Sequence, residues 1–312
     1  MPVAPEEITA AAESIRAGGL VAFPTETVYG LGANALDPVA VARIFTAKGR
    51  PAGNPLIVHV AHADQIPPLV EDWPVLAREL AEEFWPGPLT IVVRKSALVP
   101  DIVTGGGPTV GVRCPNHPVA LALLSSAGVP IAAPSANRSG ELSPTTAEHV
   151  RKSLTGKYDL LLDDGPCPGG LESTVVEIVG PDGLRILRPG LIGIAALAAI
   201  AGTVELGPTS TSGDTPAPSP GMLLRHYAPR TALECAATPG DADFLVNLYE
   251  TAGLKVARYV CPADPTEAAR RLFADLHALD AAGWDRIIAI LPPGDREWDA
   301  VRDRLIRAGA EE

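Results

Sequence analysis

Short apolar runs that break abruptly into polar motifs bearing proline or glycine constrain this chain more than any other feature. Leu20-Val21-Ala22-Phe23 breaks into PTETVYGLGANA (residues 24–35), and Val129-Pro130-Ile131-Ala132-Ala133 breaks into PSANRSG (134–140). Residues 56–60 form an aliphatic run interrupted by His59, and 89–95 and 109–113 read as further strands. Helical spacing of apolar residues recurs between them, at 6–17, 37–47, 75–85, 118–126 and 146–153. Gly18-Gly19 closes the first helix as a C-cap, Asp37-Pro38 opens the second, and Thr145 with Glu148 supplies a capping pair. Strands at 160–162 and 174–179 follow, then Arg188-Pro189-Gly190 and a helix ending near residue 201. Strands and helices in this irregular alternation predict an α/β domain with a twisted, mixed sheet over residues 1–202.

From about residue 203 to 230 the composition changes. TSTSGDTPAPSPG has no apolar periodicity and reads as a linker, which ends in MLLRHYAP (222–229). Beyond it, strands at 232–236, 255–260 and 286–291 alternate with helices at 241–251, 266–279 and 297–307. That order predicts a small Rossmann-like domain over 231–312. It lacks G-x-G-x-x-G after its first strand, so no nucleotide site is assigned to it.

The net charge of −12 argues against a general nucleic-acid binder, since neither predicted domain is basic. Cys114, Cys167, Cys235 and Cys261 are widely spaced and fit free thiols in a reducing cytosol better than a disulfide framework or zinc site. The first nineteen residues are unlike a secretory signal, and the most apolar late run, 191–201, is too short to span a bilayer. A soluble, cytoplasmic protein is expected, with no membrane partner.

The polar motifs fall at predicted strand ends, where open α/β sheets form ligand crevices. The loop after Phe23 offers Thr25, Thr27 and Tyr29; ordinary turn glycines would account for Gly30 and Gly32 equally well. Lys48 and Arg50 suit either a helix C-terminus or a phosphate clamp. His59 is by default a core histidine. Ser135, Asn137 and Ser139 form either a polar turn or a nucleotide-holding loop. Glu172-Ser173-Thr174 opens a strand or adds hydroxyl donors, and Arg113 and Arg188 each end a β-like run. No nucleophile elbow, Walker loop or metal-ligand spacing is present. What remains suits binding of phosphate and carboxylate and stabilisation of developing charge.

Taken together, PTETVYGLGANA, KGRPAGNPL (48–56), VGVRCPNHP (110–118), APSANRSGELSPT (133–145), ESTVV (172–176), RPG (188–190) and SPGMLLRHYAP (219–229) resemble the threonylcarbamoyl-AMP synthases. These are YrdC/TsaC-like enzymes, here in their long, two-domain form. The resemblance implies condensation of L-threonine, bicarbonate (or CO2) and ATP to L-threonylcarbamoyladenylate and pyrophosphate. Downstream threonylcarbamoyl transferase proteins would then modify the tRNA adenosine beside the anticodon. It also implies a nucleotidyltransferase class and a YrdC-like fold. By the same resemblance Thr27, His59, Arg113 and Ser173 would hold threonine. Arg50, Asn54, Thr109, Ser135, Ser143, Arg188 and Tyr227 would hold ATP, with Lys48 and Arg50 catalytic beside the phosphates. Mg2+ would arrive with ATP, with no tightly bound protein metal site. Residues 203–230 would be linker and lid, with residues 222–227 closing over the cavity.

Two other readings stay open at this level. This fold resembles domains credited with double-stranded RNA binding, and a direct contact with tRNA or double-stranded RNA is compatible with it. A related carbamoyl-transfer enzyme with another acceptor is the third reading, which the long linker motif disfavours.

Overall fold

The computed structural model describes residues 3–207 and 224–311. The first unit carries ten strands: β1 (Val21–Phe23), β2 (Gly30–Asn34), β3 (Ile57–His59), β4 (Leu89–Arg94), β5 (Thr109–Arg113), β6 (Ile131–Ala132), β7 (Leu160–Leu161), β8 (Thr174–Val179), β9 (Gly183–Arg188) and β10 (Thr203–Leu206). They form one sheet in the order β10-β9-β8-β4-β5-β3-β6-β2-β1-β7, with parallel and antiparallel pairs mixed. Seven helices accompany it: α1 (Pro5–Arg16), α2 (Pro38–Lys48), α3 (Val75–Phe84), α4 (Asp101–Thr104), α5 (Pro118–Ala127), α6 (Ala147–Ser153) and α7 (Ile194–Ala198). The expected twisted, mixed α/β sheet is what the chain builds.

Strand alternation divides the core into two layers. Leu31, Ala33, Val58, Val112 and Ala132 face α2 and α3, meeting Val41, Ile44, Leu76 and Leu80. Val21, Phe23 and Ile131 face the other way, against Ile8, Ile15 and Leu123 of α1 and α5.

One strand is a correction to the sequence reading. GLGAN, expected as a strand-to-helix loop, is β2, antiparallel to β1 with Phe23 opposite Gly30 and Val21 opposite Gly32. The reason is steric. A Cβ on Gly32 would stand 2.7 Å from Ile131 Cγ2 and 2.8 Å from Phe23 Cε1, so the glycine lets Phe23 and Ile131 close over the strand. A glycine that serves close packing is indistinguishable from a turn glycine in one sequence.

The second unit has β11 (Ala232–Ala236), α8 (Pro239–Thr251), β12 (Val256–Val260), α9 (Pro265–Ala281), β13 (Arg286–Ile290) and α10 (Asp299–Ala308). Its three strands are parallel in the order β11-β13-β12, the small Rossmann-like layout that the element order predicts. Two details differ at the junction. The helix expected to run to residue 201 ends at Ala198, and β10 extends the first sheet by pairing with β9 beyond the point where the linker was placed. The linker's Pro/Ser/Thr-rich part, with Met222 and Leu223 of the expected lid, lies outside the described residues.

The two units share a core. Val28, Leu142 and Leu171 of the first pack with Leu272, Phe273, Leu276 and Leu305 of the second, around Tyr227. His149 of α6 stacks on His277 of α9 with ring centroids 3.7 Å apart. Among the described residues the four cysteines are free, and no helix is long and apolar enough to cross a membrane.

Candidate active site

A cavity that is partly open to solvent lies across one face of the first sheet. Its floor includes Ile57, His59, Arg113 and Ala133. Ile57 and His59 are two apart on β3, and Arg113 lies directly opposite His59 on β5, so all three side chains share a face. The crevice expected beyond the strand ends is thus a concavity on the sheet itself, in the area that α1 and α5 do not cover. Loops from β1–β2, β6, β8 and β9 wall it, and His226 and Tyr227 close it from the segment that enters the second unit.

The loop after β1 is fixed by its own hydroxyls. Thr25 Oγ1 donates to the Val28 carbonyl (2.7 Å), so the 2.7 Å bond between the two threonine hydroxyls must be donated by Thr27. Thr27 then accepts from Arg113 Nη2 at 3.0 Å. The same nitrogen pairs with Glu26 Oε1 at 2.7 Å, and Nε reaches the Gly87 carbonyl at 3.3 Å. Arg113 is therefore held in place before any ligand arrives. Beside it His59 is buried; burial and then the neighbouring Arg113 cation push its pKa down from 6.5 to about 3. The ring is neutral at pH 7, and its Nδ1 makes no hydrogen bond to the described protein. It can orient a substrate but not neutralise one.

That shift has a consequence for stability. The unfolded chain titrates this imidazole at its ordinary value, above the folded one, so the neutral ring's contribution is complete above pH 6.5. It is lost as pH falls towards 3, at about 1.4 kcal/mol per pH unit. We expect denaturant-unfolding stability to drop between pH 7 and pH 5 by about 2 kcal/mol on account of His59 alone. His59→Asn should flatten that slope by about one proton. An equal slope in the variant would contradict the assignment.

Two more buried arginines line the cavity. Arg50 bonds its own loop through Nε to Asn54 O (3.0 Å) and Nη2 to Asn54 Oδ1 (2.6 Å) and Pro55 O (2.7 Å). Burial lowers its pKa to about 9, with Tyr227 working against the shift and Arg188 adding to it. Arg188 Nη2 donates to both oxygens of Ser173, at 3.0 Å to the carbonyl and 3.1 Å to Oγ, and Ser173 Oγ also meets Thr90 Oγ1 at 2.8 Å. Three guanidinium groups around one cavity, with Glu172 as the one lining carboxylate among the described residues, favour a ligand rich in negative charge.

Of the twelve site residues that the sequence singles out, Arg50, Thr27, His59, Arg113, Ser173, Ser135, Arg188 and Tyr227 line the cavity. Four do not. Lys48 is buried beneath the loop after β6, where Nζ donates to the Ser135 and Asn137 carbonyls; burial and then Arg50 hold its pKa well below the ordinary lysine value. Asn54 receives Arg50, and Ser143 Oγ donates to Glu172. Thr109 sits at the far end of β5, opposite Arg94. Lys48, Asn54 and Ser143 thus touch the cavity through another residue.

Thr25 and Glu172, named in the sequence motifs without an assigned ligand, line the cavity as well. The sequence reading missed Glu26, Arg113's partner, and Arg304 of α10 entirely. A detectable signal for the last exists: Val301, Arg304, Leu305 and Ala308 form the buried stripe of α10, so a cation occupies an apolar position. Among the described residues no group of three or more His, Cys, Asp or Glu is arranged to hold a metal ion.

A mixed α/β sheet whose exposed concavity gathers buried arginines, hydroxyls and a neutral histidine defines a site for small anionic ligands. The comparisons with known proteins narrow that class. Residues 13–190 match the family model described as telomere recombination (Sua5, YciO and YrdC), and 192–310 match the C-terminal domain of threonylcarbamoyl-AMP synthase. The threonylcarbamoyl-AMP synthase of Pyrococcus abyssi is 44% identical over 301 residues, 91% of this chain and 88% of that protein. That of Bacillus subtilis is 44% identical over 253 residues, covering 80% and 72%. The crystal structure of P. abyssi Sua5 complexed with L-threonine superposes with a TM-score of 0.93 at 41% identity, over 99% of this chain and 96% of that one. The chain belongs to the threonylcarbamoyl-AMP synthase family, in its two-domain form.

Proposed function

We infer that this chain is an L-threonylcarbamoyladenylate synthase, an enzyme of nucleotidyl transfer that serves threonylcarbamoyl-adenosine modification of tRNA. The observation that carries the reading is that the cavity lining holds two sets of neighbouring residues, which we take as its two ends. Arg113 bonds Thr27 and lies opposite His59, Arg50 neighbours Arg188 and Tyr227, and Ser173 is bonded to Arg188. The first end suits an amino acid: Arg113 faces the carboxylate, and Thr27 and Ser173 supply hydroxyls. The second suits a nucleotide triphosphate, with two guanidinium forks for its phosphates and an aromatic ring beside them.

The reaction asks for no protein nucleophile. The threonine amine adds to CO2 and releases a proton, and a carbamate oxygen attacks the α-phosphorus as the bond to the β-phosphate oxygen breaks. Pyrophosphate leaves. The protein's part is to align the two substrates and to stabilise charge on the phosphates, the task of Arg50 and Arg188. Lys48 contributes by tying down the Ser135 loop. Magnesium fits as part of the ATP complex, because Glu172 is already engaged by Ser143 and Arg304. It would there neutralise phosphate charge.

An RNA-binding module is a poorer account, since Arg50, Arg113 and Arg188 are buried rather than displayed on a surface. The test is omission. Purified protein with ATP, bicarbonate and L-threonine should release pyrophosphate, and leaving out threonine should abolish the release. Turnover that persists without threonine would overturn this reading.

A further inference from the structure

The second unit sends a buried cation against the cavity wall. The side chain of Arg304 of α10 is 0% exposed and meets two lining residues, Glu172 and Tyr227, and the Pro189 carbonyl next to a third, Arg188. Its Nε donates to Glu172 Oε2 at 2.9 Å, and its Nη2 to the Pro189 carbonyl at 3.0 Å. Its guanidinium carbon lies 4.9 Å from the ring centroid of Tyr227. Nη1 is anchored on Asp303 at 2.7 Å, and Asp303 in turn holds Arg307 at 2.9 Å. Burial opposes the charge on Arg304, but Tyr227, Glu172 and Asp303 together raise its pKa above the ordinary arginine value.

Glu172 and Tyr227 line the cavity; Arg304 does not. The other oxygen of Glu172 accepts from Ser143 Oγ. Tyr227 is also the one non-glycine residue with positive φ (59°) among the described residues, a conformation that needs support from its surroundings. Phe273 and Arg304, both from the second unit, press on its ring. The arginine thus neutralises the carboxylate nearest the nucleotide end and supports the ring on the same side.

We propose that Arg304 is a positioning residue for the nucleotide, through which the second unit completes the ATP end of a cavity built by the first. The inference rests on assigning that end to ATP. Without the guanidinium, Glu172 would present an uncompensated negative charge to the triphosphate, and Tyr227 would lose the cation packed against its ring. The threonine end, built on Arg113, Thr27 and His59, has no contact with Arg304 and should be unaffected.

The experiment uses the full chain. ATP with magnesium is titrated calorimetrically into the unaltered protein and into Arg304→Met, and threonine-dependent pyrophosphate release is followed in both. The Kd for ATP should rise about tenfold or more in the variant, while the KM for threonine changes less than about twofold. Adding Glu172→Gln to Arg304→Met removes the stranded charge and should bring ATP affinity back to within about threefold of the original. A folded Arg304→Met with ATP affinity within twofold of the unaltered chain overturns the proposal, as does an equal loss for threonine. Should Arg304→Met fail to fold, Asp303→Asn, which weakens the anchors of Arg304 Nη1 and of Arg307 and leaves the bonds from Arg304 to Glu172 and Pro189 in place, decides the matter. A rise in Kd of about twofold or more supports the role, and a smaller one overturns it. If the unaltered chain binds no ATP, the cavity assignment falls as well. If it binds and turns over normally while the variants match it, only the role of Arg304 falls.

Discussion

Arg113→Ala will lose threonine-dependent turnover by about a hundredfold or more and will also lower folding stability by about 3–5 kcal/mol. Both effects have one cause. Arg113 faces the cavity with part of its guanidinium and holds Glu26 with Nη2 at 2.7 Å, and the two side chains are only 5% and 11% exposed. Removing the cation strands a buried carboxylate, which is far costlier than the pair is worth. The check is a double substitution. Arg113→Ala with Glu26→Gln should recover most of the stability in urea unfolding and none of the activity. If the single variant is as stable as the unaltered chain, Glu26 is not the buried partner that the geometry makes it.

Arg50→Ala should behave differently although the residue chemistry is the same. Turnover should fall by about 10²–10³, the cost of removing a preorganised charge-stabilising donor. Stability should fall by no more than about 2 kcal/mol. The partners of Arg50 are neutral, Asn54 and the Pro55 carbonyl, and burial already works against its charge. Its deletion strands acceptors but no ion. Arg50→Lys should restore little activity, because a single ammonium cannot reproduce bonds made in fixed directions by Nε and Nη2. Steady-state kinetics with a thermal melt on the same samples separates the two contributions. A melt lowered as far as that of a core variant would make Arg50 structural.

The contrast between these arginines shows where sequence reasoning stops. That Arg50, Arg113 and Arg188 belong to one site was legible, because Arg50 stands at a helix end and Arg113 and Arg188 each end a β-like run, all three within recognisable motifs. That Arg113 is paired with an acid while Arg50 is not depends on how the loop after β1 folds back across β5. Neighbouring positions in the motif, Glu26 and Thr27, both meet Arg113, and nothing in their spacing announces it. Lys48 illustrates the same limit from the other side. Two residues from Arg50, it reads as a second phosphate cation, yet the left-handed turn at Gly49 (φ 62°) sends the two side chains to different places. One joins the cavity wall and the other passes beneath the Ser135 loop.

The architecture was legible to a similar degree. Helices with caps and strands with aliphatic runs were readable because local chemistry determines them. β2 was not, since its two glycines answer to Phe23, Ile131 and Ala133 across the sheet. Nor was the cavity's position on the sheet face, which follows from the register of β3, β5 and β6. Contacts between the two units were least accessible. Arg304 with Glu172, and His277 with the Ser143 carbonyl at 3.0 Å, join residues more than a hundred positions apart. Such pairs leave only indirect traces, such as a cation on the apolar stripe of α10.

The claim that one cavity joins threonine, carbon dioxide and ATP is tested most directly by the mass of the product. The protein is incubated with ATP, magnesium, L-threonine and carbon-13 bicarbonate, and the nucleotides are resolved by liquid chromatography with mass spectrometry. Threonylcarbamoyl-AMP carrying one heavy carbon is the expected product, absent when threonine or bicarbonate is withheld and lost with Arg50→Ala. AMP and pyrophosphate formed without any threonine-bearing adenylate would contradict the claim.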